Sequence, residues 1–279
     1  MIRTENLMKS YKNSVHALKG ISTVMEKRVT SIIGRNGAGK TTFIRILSTQ
    51  LMPTSGSAYI NDTDVIRFPE KIRNKIVSIP QEASPIGILT PFELVKMYLV
   101  GRGQSLQEST VSTNHALEDL GIMEYKNKPT DTLSGGTKRK VFVAMAIASN
   151  ADIIFLDEPT TGLDPISRIE VWSAIKQIEG DIILTTHYME EASELSNEVV
   201  LIDDGRIIEK GTVVDLMKRF EGFVRVEGKD IADPAITIGS TKIKYVRKEE
   251  AMAYIEAGEV VKPVSLDDVF IKHGVEVEY

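Results

Sequence analysis

The sequence of 279 residues contains no cysteine. This absence excludes a disulfide framework, a cysteine-ligated zinc or iron–sulfur site, and a cysteine nucleophile. It also disfavours a small secreted scaffold, although it does not fix the redox compartment.

An excess of positive charge is also missing. The 34 Lys and Arg residues against 39 Asp and Glu residues give a net charge of −5. Non-specific binding to DNA or RNA usually needs a basic face, so the composition gives that function no support. Hydrophobic residues make up 42% and charged residues 26%, which is typical of a globular protein and excludes a disordered or collagenous chain.

Long hydrophobic runs are missing as well. The longest apolar stretch, residues 141–156, is interrupted by Ser149, Asn150 and Asp152, whereas a membrane-spanning helix needs roughly 20 apolar residues. The first residues lack the apolar core of a signal peptide. We therefore expect a soluble chain, whose membrane role would come through a partner.

What is present is an alternation of short apolar runs with helical patterns. Runs with the length of buried strands occupy residues 29–33, 76–79, 153–156, 182–185 and 199–202. This alternation predicts an α/β fold with a mainly parallel core sheet. An antiparallel β subdomain beside this sheet is predicted from residues 2–7, 21–25 and 57–60.

Helix starts can be recognised at several points. Thr90 begins a capping box with proline at the first helical position, and Asp164 is likewise followed by proline. Residues 141–148, which follow Ser134, are apolar nearly all round and predict a buried helix. The region of about 82–130 is rich in helical patterns, so we predict a helical insertion subdomain there.

The pattern changes after residue 218. The rest of the chain, residues 219–279, predicts a small α/β C-terminal appendage. Its strands and helices are predicted at residues 223–227, 242–247, 248–257 and 265–272. The first domain would then be residues 1–218.

Residues 34–41 fit the phosphate-loop motif G-x-x-x-x-G-K-[ST] and stand between a predicted strand and a helical run that begins at Thr42. In such a loop the backbone N–H groups converge on phosphate oxygens, and the helix N-terminus adds partial positive charge. Lys40 would reach the β and γ phosphates, and the Thr41 hydroxyl would ligate Mg²⁺. The predicted nucleotide-binding residues are Gly34, Arg35, Asn36, Gly37, Ala38, Gly39, Lys40, Thr41 and Thr42.

The strand predicted at residues 153–156 is followed by two carboxylates, Asp157 and Glu158. The carboxyl ends of strands are where α/β sheets place their ligands. Asp157 is suited to hold Mg²⁺ through water, and Glu158 is suited to polarise an attacking water as a general base. Together with the phosphate loop, they indicate a P-loop NTPase that hydrolyses ATP or GTP.

Over roughly residues 1–218 the chain resembles the ATP-binding subunit of ABC transporters. The resemblance rests on several motifs in the family's order. They are Tyr11 as the aromatic residue that stacks on adenine, the phosphate loop, Gln81 as the Q-loop, Leu133, Ser134, Gly135 and Gly136 as the signature, Asp157 and Glu158 as the second acid motif, Gly162, Leu163 and Asp164 as the D-loop, and His187 as the switch histidine. We name residues 133–136 the signature loop.

The resemblance implies a mechanism shared by two subunits. Each ATP would be sandwiched between the phosphate loop of one subunit and the signature loop of the other. There Ser134 would cap a helix, and Gly135 and Gly136 would leave backbone N–H groups bare for the γ-phosphate. Asp164 would communicate across the same interface.

The resemblance also implies the roles of the remaining site residues. His187 would hydrogen-bond the γ-phosphate and hold the water and Glu158 in register. Gln81 would complete the Mg²⁺ shell, together with Thr41 and Asp157, and would join the core to the helical insertion. The implied cofactors are ATP and Mg²⁺. Because Glu158 is present, both sites of a homodimer should hydrolyse ATP.

Two features near the signature loop depart from a simple match. Thr137 stands where the family usually has glutamine, which puts in doubt the contact made near the ribose. Lys138, Arg139 and Lys140 follow as a basic run. We interpret this run as a solvated helix face; the alternative is that part of it supports the phosphates bound by the other subunit.

The expected partners follow from the resemblance. They are an integral membrane permease and a second ATPase subunit, which would be an identical chain that pairs in the ATP-bound state. No nucleic acid is expected as a partner. The chain would be cytoplasmic and peripheral to the inner face of the membrane. Residues 264–270 are similar to the closing segment of ATPases from drug, lipid and polysaccharide exporters, and residues 185–192 also fit that branch, so we expect export. Two alternatives stay open: an ABC ATPase that acts on ribosomes or nucleic acid, and one that serves a soluble assembly scaffold.

Overall fold

The computed structural model describes residues 1–12, 15–229 and 231–276. The chain divides into two compact units, Met1–Glu209 and Lys210–Tyr279. The sequence-based boundary after residue 218 lies inside the second of these units, because the helix Val213–Met217 packs there against the helix Leu266–Glu276.

The first unit contains an antiparallel sheet, as predicted. Its strands are β1 (Ile2–Ser10), β2 (His16–Met25), β4 (Ser55–Ile60) and β5 (Thr63–Asp64), in the order β2-β1-β4-β5. Ile2 pairs with Met25 on one side and with Ile60 on the other. All three side chains are buried, so this sheet closes one face of the hydrophobic core.

The central sheet confirms the predicted parallel core. Its strands are β3 (Val29–Ile33), β6 (Ile76–Ile79), β7 (Ile153–Asp157), β8 (Asp181–Thr186), β9 (Glu198–Asp203) and β10 (Arg206–Gly211). They lie in the order β10-β9-β3-β8-β7-β6, with parallel pairing from β9 to β6. The carboxyl ends of β3, β6, β7 and β8 therefore meet at one edge of the sheet.

Nearly all residues of the inner strands β3, β7, β8 and β9 are buried, because both faces of the central sheet are covered. In β7, Ile154 and Leu156 join one hydrophobic cluster, while Ile153 and Phe155 join the other. Side chains along a strand alternate between faces, so every position of β7 is buried. This rigid layer fixes the strand ends that carry the candidate site.

The helices of the first unit are α1 (Lys40–Leu47), α2 (Pro69–Arg73), α3 (Pro91–Gly101), α4 (Leu106–Asp119), α5 (Gly135–Ala148), α6 (Pro165–Lys176) and α7 (Met189–Leu195). Helices α3 and α4 lie within the region of about 82–130 predicted to be rich in helices, and they pack against each other and against α5. The predicted capping box is present, with Thr90 accepting from the backbone of Glu93 at 3.2 Å. Within the described ranges, each helix is too short or too polar to cross a membrane.

The second unit is built on an antiparallel sheet of β11 (Phe223–Gly228), β12 (Ile236–Ile238), β13 (Thr241–Arg247) and β14 (Val260–Pro263), in the order β12-β13-β11-β14. Its helices are α8 (Val213–Met217), α9 (Ala251–Glu256) and α10 (Leu266–Glu276). Asp268 on α10 is fully buried and accepts hydrogen bonds from Arg225 Nη1 and the Tyr245 hydroxyl, both at 2.9 Å. Burial and the Asp268 charge raise the pKa of Tyr245.

Candidate active site

The phosphate loop needs its glycines for steric reasons. A Cβ atom on Gly34 would lie 2.1 Å from the Ile202 carbonyl oxygen. A Cβ atom on Gly39 would lie 2.4 Å from the Ala17 carbonyl oxygen, and Gly39 has a φ of +104°. Only glycine fits these two positions, and its small size allows the chain to turn sharply from β3 into α1.

Lys40 is held inside the phosphate loop. Its Nζ donates to the carbonyl oxygens of Gly34 at 2.8 Å and Arg35 at 3.1 Å, and it lies 3.8 Å from Glu158 Oε1. The side chain is buried, and this burial lowers the pKa of Lys40, while the charges of Glu158 and Asp157 oppose that shift. The ammonium group is thereby positioned at the base of the loop, where a phosphate would meet it.

Asp157 joins the phosphate loop to the neighbouring strand. Its Oδ1 accepts from Thr41 Oγ1 at 3.2 Å and from Thr185 Oγ1 at 2.5 Å. Hydroxyl, carboxylate and amide oxygens are the hard ligands that Mg²⁺ prefers. Thr41, Asp157 and the nearby Gln81 can supply this set, so their chemistry fits the metal that the sequence predicts.

Glu158 is the centre of the site. It is 6% exposed, and its Oε2 accepts from Gln81 Nε2 and from Thr161 Oγ1, both at 3.0 Å. His187 Nδ1 lies 3.2 Å from the same oxygen, outside hydrogen-bonding geometry. The structure thus places Gln81 and His187 beside the carboxylate of Glu158, which brings together the three residues predicted to be catalytic.

A cavity of about 380 Å³ opens beside this carboxylate. Gln81, Glu158, Thr161 and His187 line one side, and most of the phosphate loop with Thr42 lines the other. Phosphate-binding and water-activating groups therefore face the same space.

Tyr11 stands apart from the cavity wall. The residue is 41% exposed, and its hydroxyl lies 3.2 Å from the Thr42 hydroxyl. The ring is close to the start of α1, where a base attached to a loop-bound phosphate could reach it.

The signature loop and the D-loop also lie outside the cavity, and each begins a helix as predicted. Ser134 accepts from the Thr137 N–H at 3.1 Å at the start of α5. Asp164 accepts from the N–H groups of Ile166 and Ser167 at 3.1 Å at the start of α6. The hydrogen bonds from Ser167 hold the pKa of Asp164 below its usual value.

The solvated-face interpretation of the basic run is wrong for two of its three residues. Arg139 is 8% exposed and Lys140 is 6% exposed. Lys140 forms an ion pair with Glu170 on α6, and Arg139 points toward the ends of β6 and β7. A short run of charges cannot show which members face inward, because neighbouring residues on a helix point in different directions.

Sequence reasoning missed two groups beside the site. Thr185 binds Asp157 and also accepts from the Glu158 N–H at 3.0 Å, and its place at a strand end was the available signal. Glu191, 1% exposed, accepts from Thr160 Oγ1 at 2.7 Å and from Trp172 Nε1 at 3.0 Å. Burial raises the pKa of Glu191. Glu191, Thr160 and Trp172 are distant from one another in sequence, so only the fold shows that they form a cluster.

Comparison with known families decides the identity of this site. The model of the ABC transporter family matches residues 18–161, which include the phosphate loop, the signature loop and Glu158. The chain belongs to the ABC transporter family. Within this family it is an ABC-type ATPase domain with the P-loop NTPase fold, which confirms the predicted fold class and ATPase assignment.

The ABC relatives include drug-resistance proteins. The chain is 36% identical over 219 residues to the daunorubicin/doxorubicin resistance ATP-binding protein DrrA of Streptomyces peucetius, covering 77% of this chain and 66% of DrrA. It is 36% identical over 229 residues to the doxorubicin resistance ATP-binding protein DrrA of Mycobacterium tuberculosis, covering 80% and 69%. The human retinal-specific phospholipid-transporting ATPase ABCA4 is 35% identical over 200 residues, which are 71% of this chain and 9% of ABCA4.

Solved ABC structures share the fold. A dimeric post-hydrolysis state of the ATP-binding cassette MJ0796 with ADP and Pi superposes with a TM-score of 0.69 at 26% identity, covering 76% of this chain and 98% of that one. CbiO1 from Clostridium perfringens, part of the ABC transporter complex cbiONQ, gives 0.67 at 27% identity, covering 79% and 92%.

Proposed function

We propose that the chain binds ATP with Mg²⁺ in the cavity between the phosphate loop and Glu158, and hydrolyses it to drive a transporter. The observation that carries this proposal is the position of the Glu158 carboxylate. It is buried, faces the cavity and lies 3.8 Å from the phosphate-loop lysine Lys40. A carboxylate so placed can take a proton from water that attacks a loop-bound γ-phosphate.

Each neighbour of Glu158 has a part in the proposed reaction. Lys40 and the loop N–H groups hold the phosphates, and Thr41, Asp157 and Gln81 hold Mg²⁺, which when bound neutralises charge on the β and γ phosphates. Gln81 and Thr161 fix the carboxylate by hydrogen bonds. His187 stands at the same cavity and is placed to contact the γ-phosphate.

We propose further that two copies share each ATP. The signature loop lies outside the cavity of its own chain, and the N–H groups at the start of α5 beside Gly135 and Gly136 can bind an anion from outside. The solved relative MJ0796 is a dimer. In this arrangement Ser134, Gly135 and Gly136 of one copy contact the γ-phosphate held by the other, and Asp164 lies at the interface.

The partner that we propose is an integral membrane permease that exports its cargo. The two DrrA relatives are named for resistance to daunorubicin and doxorubicin and to doxorubicin, and CbiO1 is named as part of an ABC transporter complex. The chain would then act at the cytoplasmic face of the membrane. The first unit, Met1–Glu209, would serve as the ATPase domain and the second unit as an accessory domain.

The ATPase proposal is tested with the variant Glu158→Gln and the control Glu194→Gln, an exposed glutamate on α7. We expect Mg²⁺-dependent phosphate release by the wild-type chain, a loss of at least about 100-fold in Glu158→Gln, and no change in the control. ATP should also stabilise dimers of Glu158→Gln, as measured by size-exclusion chromatography with light scattering. Wild-type hydrolysis by Glu158→Gln would show that the role given to Glu158 is wrong.

The partner proposal is tested by purification of the tagged full-length chain from membranes of its native source in mild detergent. We expect an integral membrane protein to co-purify. Recovery of ribosomal components or of soluble partners alone would instead support one of the two alternatives left open by the sequence.

A further inference from the structure

Arg139 makes an unusual set of hydrogen bonds beside the site. It lies on α5, which begins at the signature loop, and its side chain is 8% exposed. All its acceptors are main-chain carbonyl oxygens at the ends of β6 and β7. They belong to Pro80, Gln81, Asp157, Glu158 and Pro159.

The guanidinium group divides these contacts between two segments. Nη1 donates to Pro80 at 2.8 Å and to Gln81 at 3.1 Å. Nη2 donates to Asp157 and, at 2.9 Å, to Glu158, while Nε donates to Pro159 at 3.2 Å. A planar fork with donors on three nitrogens can join two strand ends in this way, whereas a lysine ammonium has three donors at one point.

The burial of Arg139 has a free-energy cost, because its charged guanidinium group is removed from water. Burial lowers the pKa of Arg139, and the charges of Asp157, Glu158 and Glu191 oppose this shift. An apolar side chain of similar size often stabilises a protein core as well or better. The contacts of Arg139 therefore point to a role in holding the chain near the site.

The backbone of Glu158 shows what is being held. Its φ is +50°, in the left-handed region that a residue with a side chain rarely adopts. Such a conformation persists where neighbours over-determine it. Here the Glu158 N–H donates to the carbonyl oxygen of Thr185 at 3.1 Å and to its Oγ1 at 3.0 Å, and the Glu158 carbonyl accepts from Arg139.

We infer that Arg139 is a positioning residue for ATP hydrolysis, whose guanidinium group holds the main chain of Gln81 and Glu158 so that both side chains face the cavity. The inference rests on the proposed function. Arg139 contacts neither the phosphate loop nor the cavity, so it acts on the chemical step through Gln81 and Glu158. Since it stands on the helix that begins at the signature loop, it also joins that helix to both residues.

The test uses Arg139→Met and Arg139→Lys, with Lys140→Met as a matched control. Lys140 is the next residue and is equally buried, but it pairs with a side chain, Glu170, on a helix away from the carboxylate. In steady-state ATPase assays of the full chain, we expect Arg139→Met to lower kcat about 100-fold and to change KM less than about threefold. A fluorescent ATP analogue should bind it with near wild-type affinity, because the phosphate loop is unaltered.

The other two variants separate positioning from general damage. Arg139→Lys keeps the charge but not the fork, so we expect a kcat between those of Arg139→Met and the wild type. Lys140→Met should lower the thermal midpoint while its kcat stays within about threefold of the wild type. If Arg139→Met does not fold, the kcat of Arg139→Lys decides, and a wild-type value overturns the inference.

Two further outcomes would overturn it: wild-type kcat in Arg139→Met, or an equal fall of kcat in Lys140→Met. Failure of the proposed function looks different, because wild-type protein would then show no ATP hydrolysis that depends on Glu158.

Discussion

Gln81 Nε2 donates to Glu158 Oε2 at 3.0 Å, so the end of β6 is tied to the proposed general base at the end of β7. This contact joins the helical insertion, which follows Gln81 in the chain, to the chemistry of the neighbouring strand. We expect Gln81→Ala to lower kcat about tenfold or more, because the carboxylate loses one of its fixed donors.

The measurement is steady-state phosphate release, and Gln50→Ala is the control. Gln50 also donates through its amide, to Ser78 Oγ at 2.9 Å, but away from Glu158. An unchanged kcat in Gln81→Ala would show that the observed hydrogen bond has no part in the reaction.

Lys40 should matter for binding as well as for hydrolysis. We expect Lys40→Ala to weaken ATP binding at least about tenfold, since charge-assisted hydrogen bonds to the phosphates are lost. Titration with a fluorescent ATP analogue measures the Kd. Lys75→Ala, an exposed lysine beside β6, serves as the control, and equal affinities of the two variants would contradict the role given to Lys40.

Substitutions at Gly135 can test the effect of charge in the signature loop without changing the fold of the loop. A Cβ atom at this position meets nothing within 4 Å in the chain itself, so the fold accepts a side chain there. Gly135→Asp places a negative charge in the first turn of α5, which favours the helix but repels a phosphate. We expect full stability and ATP binding, with loss of the ATP-stabilised dimer when the change is made in the Glu158→Gln background.

Gly135→Asn is the control, because it has the size of aspartate without the charge. It should form the dimer about tenfold more readily than Gly135→Asp. Equal dimerisation of the two variants, measured by light scattering with ATP, would argue against an anion at this helix start.

The buried Glu191 predicts a dependence of stability on pH. Burial raises the pKa of this carboxyl above its usual value of 4.5. A raised pKa contributes stability that is complete below the unfolded value and is lost as the pH rises through the folded value. Relative to the wild type, Glu191→Gln should therefore gain stability as the pH rises from 4 toward neutrality.

Urea unfolding across this pH range measures the effect. Because Glu194 lies on the same helix and is half exposed, Glu194→Gln should stay within about 0.5 kcal/mol of the wild type at each pH. A constant difference between Glu191→Gln and the wild type would contradict the assigned shift.

In the second unit, Asp268 should be essential for stability. Asp268→Ala removes the fully buried partner of Arg225, whose own side chain is 14% exposed, and breaking a buried pair costs about 3–5 kcal/mol. Its neighbour Asp267 is exposed, so Asp267→Ala should cost less than about 1 kcal/mol. Urea unfolding of the full chain, followed by the fluorescence of a label in the second unit, distinguishes the two.

Much of the fold could be predicted because apolar runs and caps are local features. In the first unit, the strands other than β5 and β10 and the starts of α3, α5 and α6 follow from such runs and from Thr90, Ser134 and Asp164. On α6, the spacing of Ile166, Ile169, Trp172 and Ile175 places four apolar residues on one face. Trp172 and Ile175 on it are buried, but Ile166 and Ile169 are 72% and 61% exposed, since periodicity shows which residues share a face but not what covers it.

The candidate site was predicted in its motifs but not in its connections. The phosphate loop, Asp157 and Glu158 were found because their chemistry is written in adjacent residues. Arg139 and Glu191 were missed as site neighbours because their partners lie far away in sequence. From sequence alone a charged residue is predicted to be exposed, and only the fold shows which groups surround it.

The pairing of β3 has a consequence for how the chain is made. β3 is synthesised before its partners β8 and β9, which lie beyond the whole helical region. Nascent chains that end before β8 therefore hold the phosphate loop on a strand whose two neighbours do not yet exist. Helices α3, α4 and α5 can meanwhile assemble on local contacts. During translation, then, nucleotide binding would begin only after the last third of the first unit has left the ribosome.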